Sequence, residues 1–278
     1  MTERFTVFGA NGFIGAALVA HLRTQGHEVR AATRDNWPAP DEALGHVIYA
    51  AGLTSKFAEA PFETVNAQTT LPAQILENYT FSSFLYLSST RLYADAETTN
   101  EDAHIKVSPT DPQDIYALTK MATECLCLSQ QAPTVRVVRL SNVYGLFTKN
   151  IVSLAKILHE AAQTGEVEFL SSPQSAKDYV SIKDVARLLP EIALHGKERV
   201  YNLAKGQNVS NREIASVLEL EGVSISFRPD APTHISQPIN VDRLASEFTP
   251  PQFKVLQELP ELLAFARQSL GVSAKLAD

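Results

Sequence analysis

The apolar run Phe5-Thr6-Val7-Phe8 leads straight into Gly9-Ala10-Asn11-Gly12-Phe13-Ile14-Gly15, and that turn opens a helical pattern through Leu18, Val19 and Leu22. No other stretch constrains the fold as strongly, because it reads as strand, tight turn, helix. Glycines there let the backbone turn sharply and approach a pyrophosphate, whose charge then lies at the positive end of the helix. An ordinary glycine-rich turn is the plain alternative; the position between a strand and a helix at the very start of the chain favours dinucleotide binding. Further strand-like runs at Glu28 to Ala32, Val47 to Ala51, Phe84 to Ser88 and Val135 to Leu140 alternate with helical patterns. The expected fold is therefore α/β, a doubly wound parallel sheet.

Length and charge narrow the class further. With 278 residues of which 45% are hydrophobic, the chain can bury one substantial core and a smaller appended lobe. A net charge of -7 speaks against nucleic acid or an anionic membrane as partner, since both need basic patches. The N-terminus enters a strand without a basic start, and no stretch approaches the roughly 20 apolar residues of a membrane span, so a cytoplasmic protein is expected. Cys125 and Cys127 have no further cysteine to complete a metal site and are expected to be buried and reduced. The seven histidines show no ligand spacing, and no metal is expected.

In Tyr116-Ala117-Leu118-Thr119-Lys120, the four-residue spacing puts a phenol and an ammonium on one helix face. A free phenol has a pKa near ~10, so proton exchange near neutrality needs a nearby cation favouring the phenolate, and Lys120 can be that cation. The same spacing also arises in ordinary surface pairs.

Taken together, Gly-x-x-Gly-x-x-Gly, Tyr-x-x-x-Lys and several later segments resemble the extended short-chain dehydrogenase/reductase family, in its branch that modifies nucleotide sugars. The later segments are Val47-Ile48-Tyr49-Ala50-Ala51-Gly52, Val65-Asn66 leading a helix, Leu87-Ser88-Ser89-Thr90-Arg91-Leu92-Tyr93, Arg139-Leu140-Ser141-Asn142-Val143-Tyr144-Gly145, Lys177-Asp178-Tyr179, Val200-Tyr201-Asn202-Leu203 and Arg228-Pro229-Asp230. The resemblance implies a Rossmann sheet in residues 1–145 with returning segments near 178–204, and a substrate-binding lobe in 146–177 and 205–278. It implies catalysis by Ser89, which hydrogen-bonds the reacting oxygen, Tyr116, which exchanges the proton, and Lys120, which holds the nicotinamide ribose; Ser88 would be a bystander. Cofactor contacts fall by the same resemblance on Gly9, Asn11, Gly12, Phe13, Ile14, Gly15, Ala50, Ala51 and Gly52, besides Tyr116 and Lys120. Asn142 and Arg228 would meet the phosphates of a nucleoside diphosphate sugar, with Lys177 standing where the family has an arginine and Asp230 where it has a glycine. A homodimer through Ala117 to Leu128 and Ala67 to Glu77 is also implied.

Two departures matter. Only the twelve residues Asp35 to His46 separate the second strand from the next, too few for the helix, strand and helix usual there, so one strand of the sheet should be missing. At the end of the second strand Thr33 stands where NAD-binding relatives carry an acid, and Arg34 beside it can pair a 2′-phosphate, which favours NADP while leaving NAD possible. Thr90-Arg91 occupies the place of the Asp-Glu pair that dehydratases use, so dehydration is disfavoured. What remains is a 4-keto-sugar reductase, with a nucleoside diphosphate sugar 4-epimerase or a non-catalytic NADP-binding sensor as alternatives.

Overall fold

The computed structural model describes residues 2–54, 57–146 and 154–271. In chain order its elements begin β1 (Arg4–Phe8), α1 (Phe13–Thr24), β2 (Glu28–Ala32), β3 (His46–Tyr49), α2 (Pro61–Val65), α3 (Leu71–Asn78), β4 (Ser83–Ser89), α4 (Ile115–Ser129) and β5 (Val135–Leu140). They continue with β6 (Asn142–Tyr144), α5 (Leu154–Thr164), β7 (Glu166–Phe169), β8 (Ala176–Ser181), α6 (Ile182–His195) and β9 (Val200–Leu203). β10 (Asn208–Ser210), α7 (Asn211–Leu220), β11 (Ser224–Phe227), α8 (Asp242–Glu247) and α9 (Val255–Ser269) complete the order.

One unit comprises Met1–Leu140, Val185–Leu203 and Asn240–Pro250. Its six-stranded sheet has the order β2-β1-β3-β4-β5-β9, with every neighbouring pair parallel. Central strands β4 and β5 are buried at every residue, as strands covered on both faces must be, so the polar side chains they carry, Arg136 and Arg139 among them, are buried too. One face packs Phe8, Tyr49, Phe84, Tyr86 and Val137 against Ile75 of α3 and Cys127 of α4. Cys125, expected to be buried, is exposed; two residues apart on a helix, only one cysteine can face the sheet.

The missing strand is visible in the sheet order. β2 is an edge, and the next strand, β3, joins β1 on its other side. The chain turns back directly after β2: Thr33 and Asn36 exchange backbone hydrogen bonds at 3.3 and 3.2 Å. Trp37 then lays its ring 4.9 Å from that of Phe8 and donates its indole N–H to the Tyr79 hydroxyl at 3.1 Å.

The segment expected to begin a helix at Val65-Asn66 is already helical from Pro61, which sits in the first turn where its missing N–H costs nothing. Asn66–Thr70 then widens into a π turn before α3. Pro72 accounts for the local disruption: it cannot donate to the carbonyl four residues back, that of Gln68. That oxygen instead accepts from the Tyr86 hydroxyl at 2.9 Å and the Thr123 hydroxyl at 2.6 Å, tying the turn to β4 and α4.

The other unit comprises Ser141–Asp184, Ala204–Ile239 and Pro251–Asp278. It holds a three-stranded sheet, β10-β8-β6, and a parallel pair, β11-β7, around a core that includes Tyr144, Leu158, Phe169, Ile214 and Leu259. Residues 151–153, immediately before α5, lie outside the described residues. Tyr179 belongs to this core and is 3% exposed. The unit boundaries differ from those read in the sequence. Residues 141–145 and 178–184 group here because β6 pairs with β8 and not with the six-stranded sheet. Residues 240–250 group with the sheet, where Asn240 is bonded to Thr99 and Asn202.

Candidate active site

The turn between β1 and α1 is built around two glycines. Gly9 has φ +80°, and a Cβ there would lie 2.7 Å from the Ala51 nitrogen; a Cβ on Gly15 would collide with the Gly9 carbonyl oxygen. Side chains at either place would push the loop off the ends of β1 and β3. α1 begins at Phe13, after Gly12, with no side-chain cap and no acid in its first turn, so no carboxylate of its own offsets the positive end of its dipole. At the end of β2, Arg34 is exposed and makes no ion pair among the described residues. These features fit the phosphates of a dinucleotide: a cradle no larger residue could form, a helix start, and a cation without a partner.

Ser89 ends β4 and caps the 3₁₀ turn Thr90–Tyr93, its hydroxyl accepting from the Arg91 N–H at 3.2 Å. Tyr116 and Lys120 come from successive turns of α4, and both are nearly buried at 6% and 5% exposure. The Ser89 hydroxyl lies near enough to the Tyr116 phenol to act on it. Burial pushes the Tyr116 phenol up from its ordinary value, while the Ser89 hydroxyl and the positive charge of Arg91 act in the opposite direction. Lys120 Nζ donates to the Leu87 carbonyl at 2.7 Å and lies 4.7 Å from the centre of the Tyr86 ring and 6.0 Å from that of Tyr116. Burial lowers its ammonium to about 7, opposed by the charge of Glu124. The Gly52 backbone passes close by, since a Cβ there would be 3.7 Å from Lys120 Nζ. Ser88 is buried with no hydrogen-bond partner for its hydroxyl.

Polar residues that the sequence reading left aside complete the surroundings. Gln68 is wholly buried, donating to the Leu53 carbonyl at 2.8 Å and accepting from the Thr119 hydroxyl at 3.0 Å. Glu124, one turn beyond Lys120, is paired through both oxygens with Arg139 of β5, at 3.0 and 2.6 Å. Arg139 in turn donates to the Tyr93 hydroxyl at 2.7 Å and the Glu101 carbonyl at 3.0 Å. The four-residue spacing of Glu124 from Lys120 was a usable sequence signal, and Arg139 opens one of the segments that carry the resemblance; nothing local marks Gln68.

The residues expected to meet substrate belong to the second unit and are not free. Asn142 donates to the Asp178 carbonyl at 2.8 Å, Lys177 lies 5.5 Å from the centre of the Tyr179 ring, and Arg228 is ion-paired with Glu168 at 3.4 Å. Asp230, standing where the resemblance expects glycine, has φ +54°, the one left-handed non-glycine among the described residues. The backbone thus keeps the conformation that glycine serves, at a residue type that tolerates it better than most.

A six-stranded parallel sheet with a glycine turn after its first strand defines a dinucleotide-dependent enzyme of the extended short-chain dehydrogenase/reductase type. The chain belongs to the NAD dependent epimerase/dehydratase family, whose model matches residues 5–204. A GDP-6-deoxy-D-mannose reductase of Pseudomonas aeruginosa is 28% identical over 246 residues, 78% of this chain and 80% of that protein. GDP-mannose 3,5-epimerase 1 of Oryza sativa subsp. indica is 26% identical over 52% of this chain and 47% of its own length. Among solved structures, RMD from Pseudomonas aeruginosa complexed with NADPH superposes with a TM-score of 0.75 at 24% identity, covering 96% of this chain and 99% of that one. A UDP-glucuronic acid 4-epimerase from Bacillus cereus, in complex with NAD and a sugar nucleotide, gives 0.76 at 17%, covering 95% and 99%. No helix among the described residues is long and apolar enough to cross a membrane.

Proposed function

We propose that this chain is an NADP-dependent reductase that converts the 4-keto group of a nucleoside diphosphate hexose to a hydroxyl. The observation that carries this reading is the buried Tyr116 phenol with the Ser89 hydroxyl nearby and the Arg91 guanidinium 5.0 Å from the centre of its ring. A phenol so placed can give a proton to an oxygen, whereas Thr90 and Arg91 offer no carboxylate for an elimination. When bound, the nicotinamide supplies the hydride. Ser89 would hold the reacting oxygen and Tyr116 would protonate it. Lys120 would hold the nicotinamide ribose. Gly9, Asn11, Gly12, Phe13, Ile14 and Gly15 would line the pyrophosphate, with Ala50, Ala51 and Gly52 beyond it and Thr33 and Arg34 at the 2′-phosphate. In the second unit Asn142, Lys177 and Arg228 are the candidates for the substrate phosphates; the exposed Arg228–Glu168 pair is worth at most about 1 kcal/mol and can be exchanged.

Because a relative is a GDP-6-deoxy-D-mannose reductase, the first substrate to supply is the 4-keto form of that sugar nucleotide. Purified protein should carry no tightly held nicotinamide after denaturation, and should bind NADPH in preference to NADH. Arg34→Ala should weaken NADPH about tenfold, the effect of one charge-assisted hydrogen bond, and leave NADH unchanged. Retained NAD would instead favour the 4-epimerase. We also place the working enzyme in the cytoplasm as a homodimer, paired through the 117–128 and 67–77 segments. Leu126 and Leu128 are 36% and 39% exposed there. Light scattering should give twice the chain mass at micromolar concentration, and a monomer would rule the pairing out.

A further inference from the structure

Arg91 stands in the 3₁₀ turn that Ser89 caps, two residues past that serine. Its side chain is exposed, yet the guanidinium lies 5.0 Å from the centre of the Tyr116 ring and 5.0 Å from that of Phe57. Those two rings pack 5.1 Å apart at 47°. Among the described residues Arg91 makes no ion pair. A charged side chain that forgoes both a carboxylate and full hydration to cover two rings is held by cation–π and stacking contacts.

We propose that Arg91 is a positioning residue for the proton step, holding the Tyr116 ring in place and favouring its phenolate form. The inference rests on the reading of Tyr116 as the proton-exchanging group. Burial works against the phenolate, so the site needs a compensating charge within a few ångströms. Among the described residues the groups around the phenol are few: Lys120 on its own helix, Ser89 and Arg91 at the end of β4, the uncharged Phe57, and the neutral Tyr86. Lys120 is directed at the Leu87 carbonyl, and its ammonium titrates near neutrality. A guanidinium keeps its charge at every working pH, so Arg91 is the permanent cation of the set. The attraction of a cation to an aromatic face also strengthens when the ring carries the negative charge of a phenolate. Because Arg91 is exposed, its influence is screened by salt.

The test is run in the oxidative direction, with GDP-6-deoxy-D-mannose and NADP, where Tyr116 must accept a proton. Arg91→Gln should lower the rate at pH 7 about tenfold, the low end expected for a cation at this range, and the loss should shrink as pH rises. Arg91→Lys should restore part of the rate, and added salt should slow the wild type more than Arg91→Gln. A reading that needs no substrate is the phenolate absorbance of Tyr116, obtained as wild type minus Tyr116→Phe and again with Arg91→Gln in both; its midpoint should move upward. A loss of equal size at every pH, or an unmoved midpoint, would overturn the proposal. Failure of the underlying reading is separable: a Tyr116→Phe enzyme that still turns over removes the proton role itself. If Tyr116→Phe is inactive while the Arg91→Gln profile coincides with wild type, only the role of Arg91 falls.

Discussion

Tyr116→Phe should reduce turnover by about 10²–10⁴, the usual contribution of a positioned proton donor, while NADPH affinity stays at the wild-type level. The substitution deletes one oxygen and little else. The ring keeps its packing against Phe57 at 5.1 Å and its cover from Arg91 at 5.0 Å. Ser89 keeps the bond its hydroxyl accepts from the Arg91 N–H, so the stability cost should stay below ~1 kcal/mol. A fall in kcat with unchanged melting and unchanged cofactor titration therefore reports the missing proton and not a damaged fold. Turnover at the wild-type level would remove the mechanism proposed for this site.

How much of this was legible beforehand follows from how local each signal is. The glycine turn was readable because its constraint is local: three glycines between a strand and a helix, two of which admit no Cβ. The missing strand was readable from chain length alone, since Asp35 to His46 cannot span a helix, strand and helix. What fills the gap was not, because the contact of Trp37 with Phe8 and Tyr79 joins residues far apart in sequence. The π turn escaped for a related reason. Pro72 marks a backbone disturbance, but that Gln68 would take up partners from β4 and α4 depends on tertiary packing. The same limit applies to the active centre. Ser89, Tyr116 and Lys120 carry a recognisable spacing, whereas Arg91 gained meaning only when the guanidinium was found over the phenol ring. The substrate side is the least legible part: Asn142, Lys177 and Arg228 match a pattern, yet each is engaged with a protein group.

Arg139→Met should cost about 3–5 kcal/mol, the penalty for stranding a buried charge, and lower the melting temperature by roughly 10 °C in a chain of this size. Glu124 and Arg139 are both 6% exposed in their side chains and meet through two hydrogen bonds, so each neutralises a charge that water cannot reach. With Arg139 gone, the carboxylate of Glu124 keeps no partner among the described residues except the more distant Lys120 ammonium. The Tyr93 hydroxyl and the Glu101 carbonyl lose a donor at the same time. The double variant Glu124→Gln with Arg139→Met removes both charges and should recover most of the loss, because a buried ion pair contributes little beyond cancelling its own desolvation. If the single and double variants melt alike, the pair is not the source of the penalty, and the lost bonds to Tyr93 and Glu101 would carry it. The distinction bears on catalysis, since Tyr93 also donates to the Asn202 side-chain oxygen at 2.8 Å and the Asn202 backbone N–H donates to the Glu101 carboxylate at 3.0 Å. Through these bonds Arg139 fixes the chain just after the Ser89 turn, and Arg139→Met should therefore loosen Arg91 and Ser89 while leaving α1 and its glycine turn intact. Hydrogen exchange that rises across 90–101 but not across 9–24 is the expected signature, and uniform protection in both would show that the pair stabilises the sheet alone.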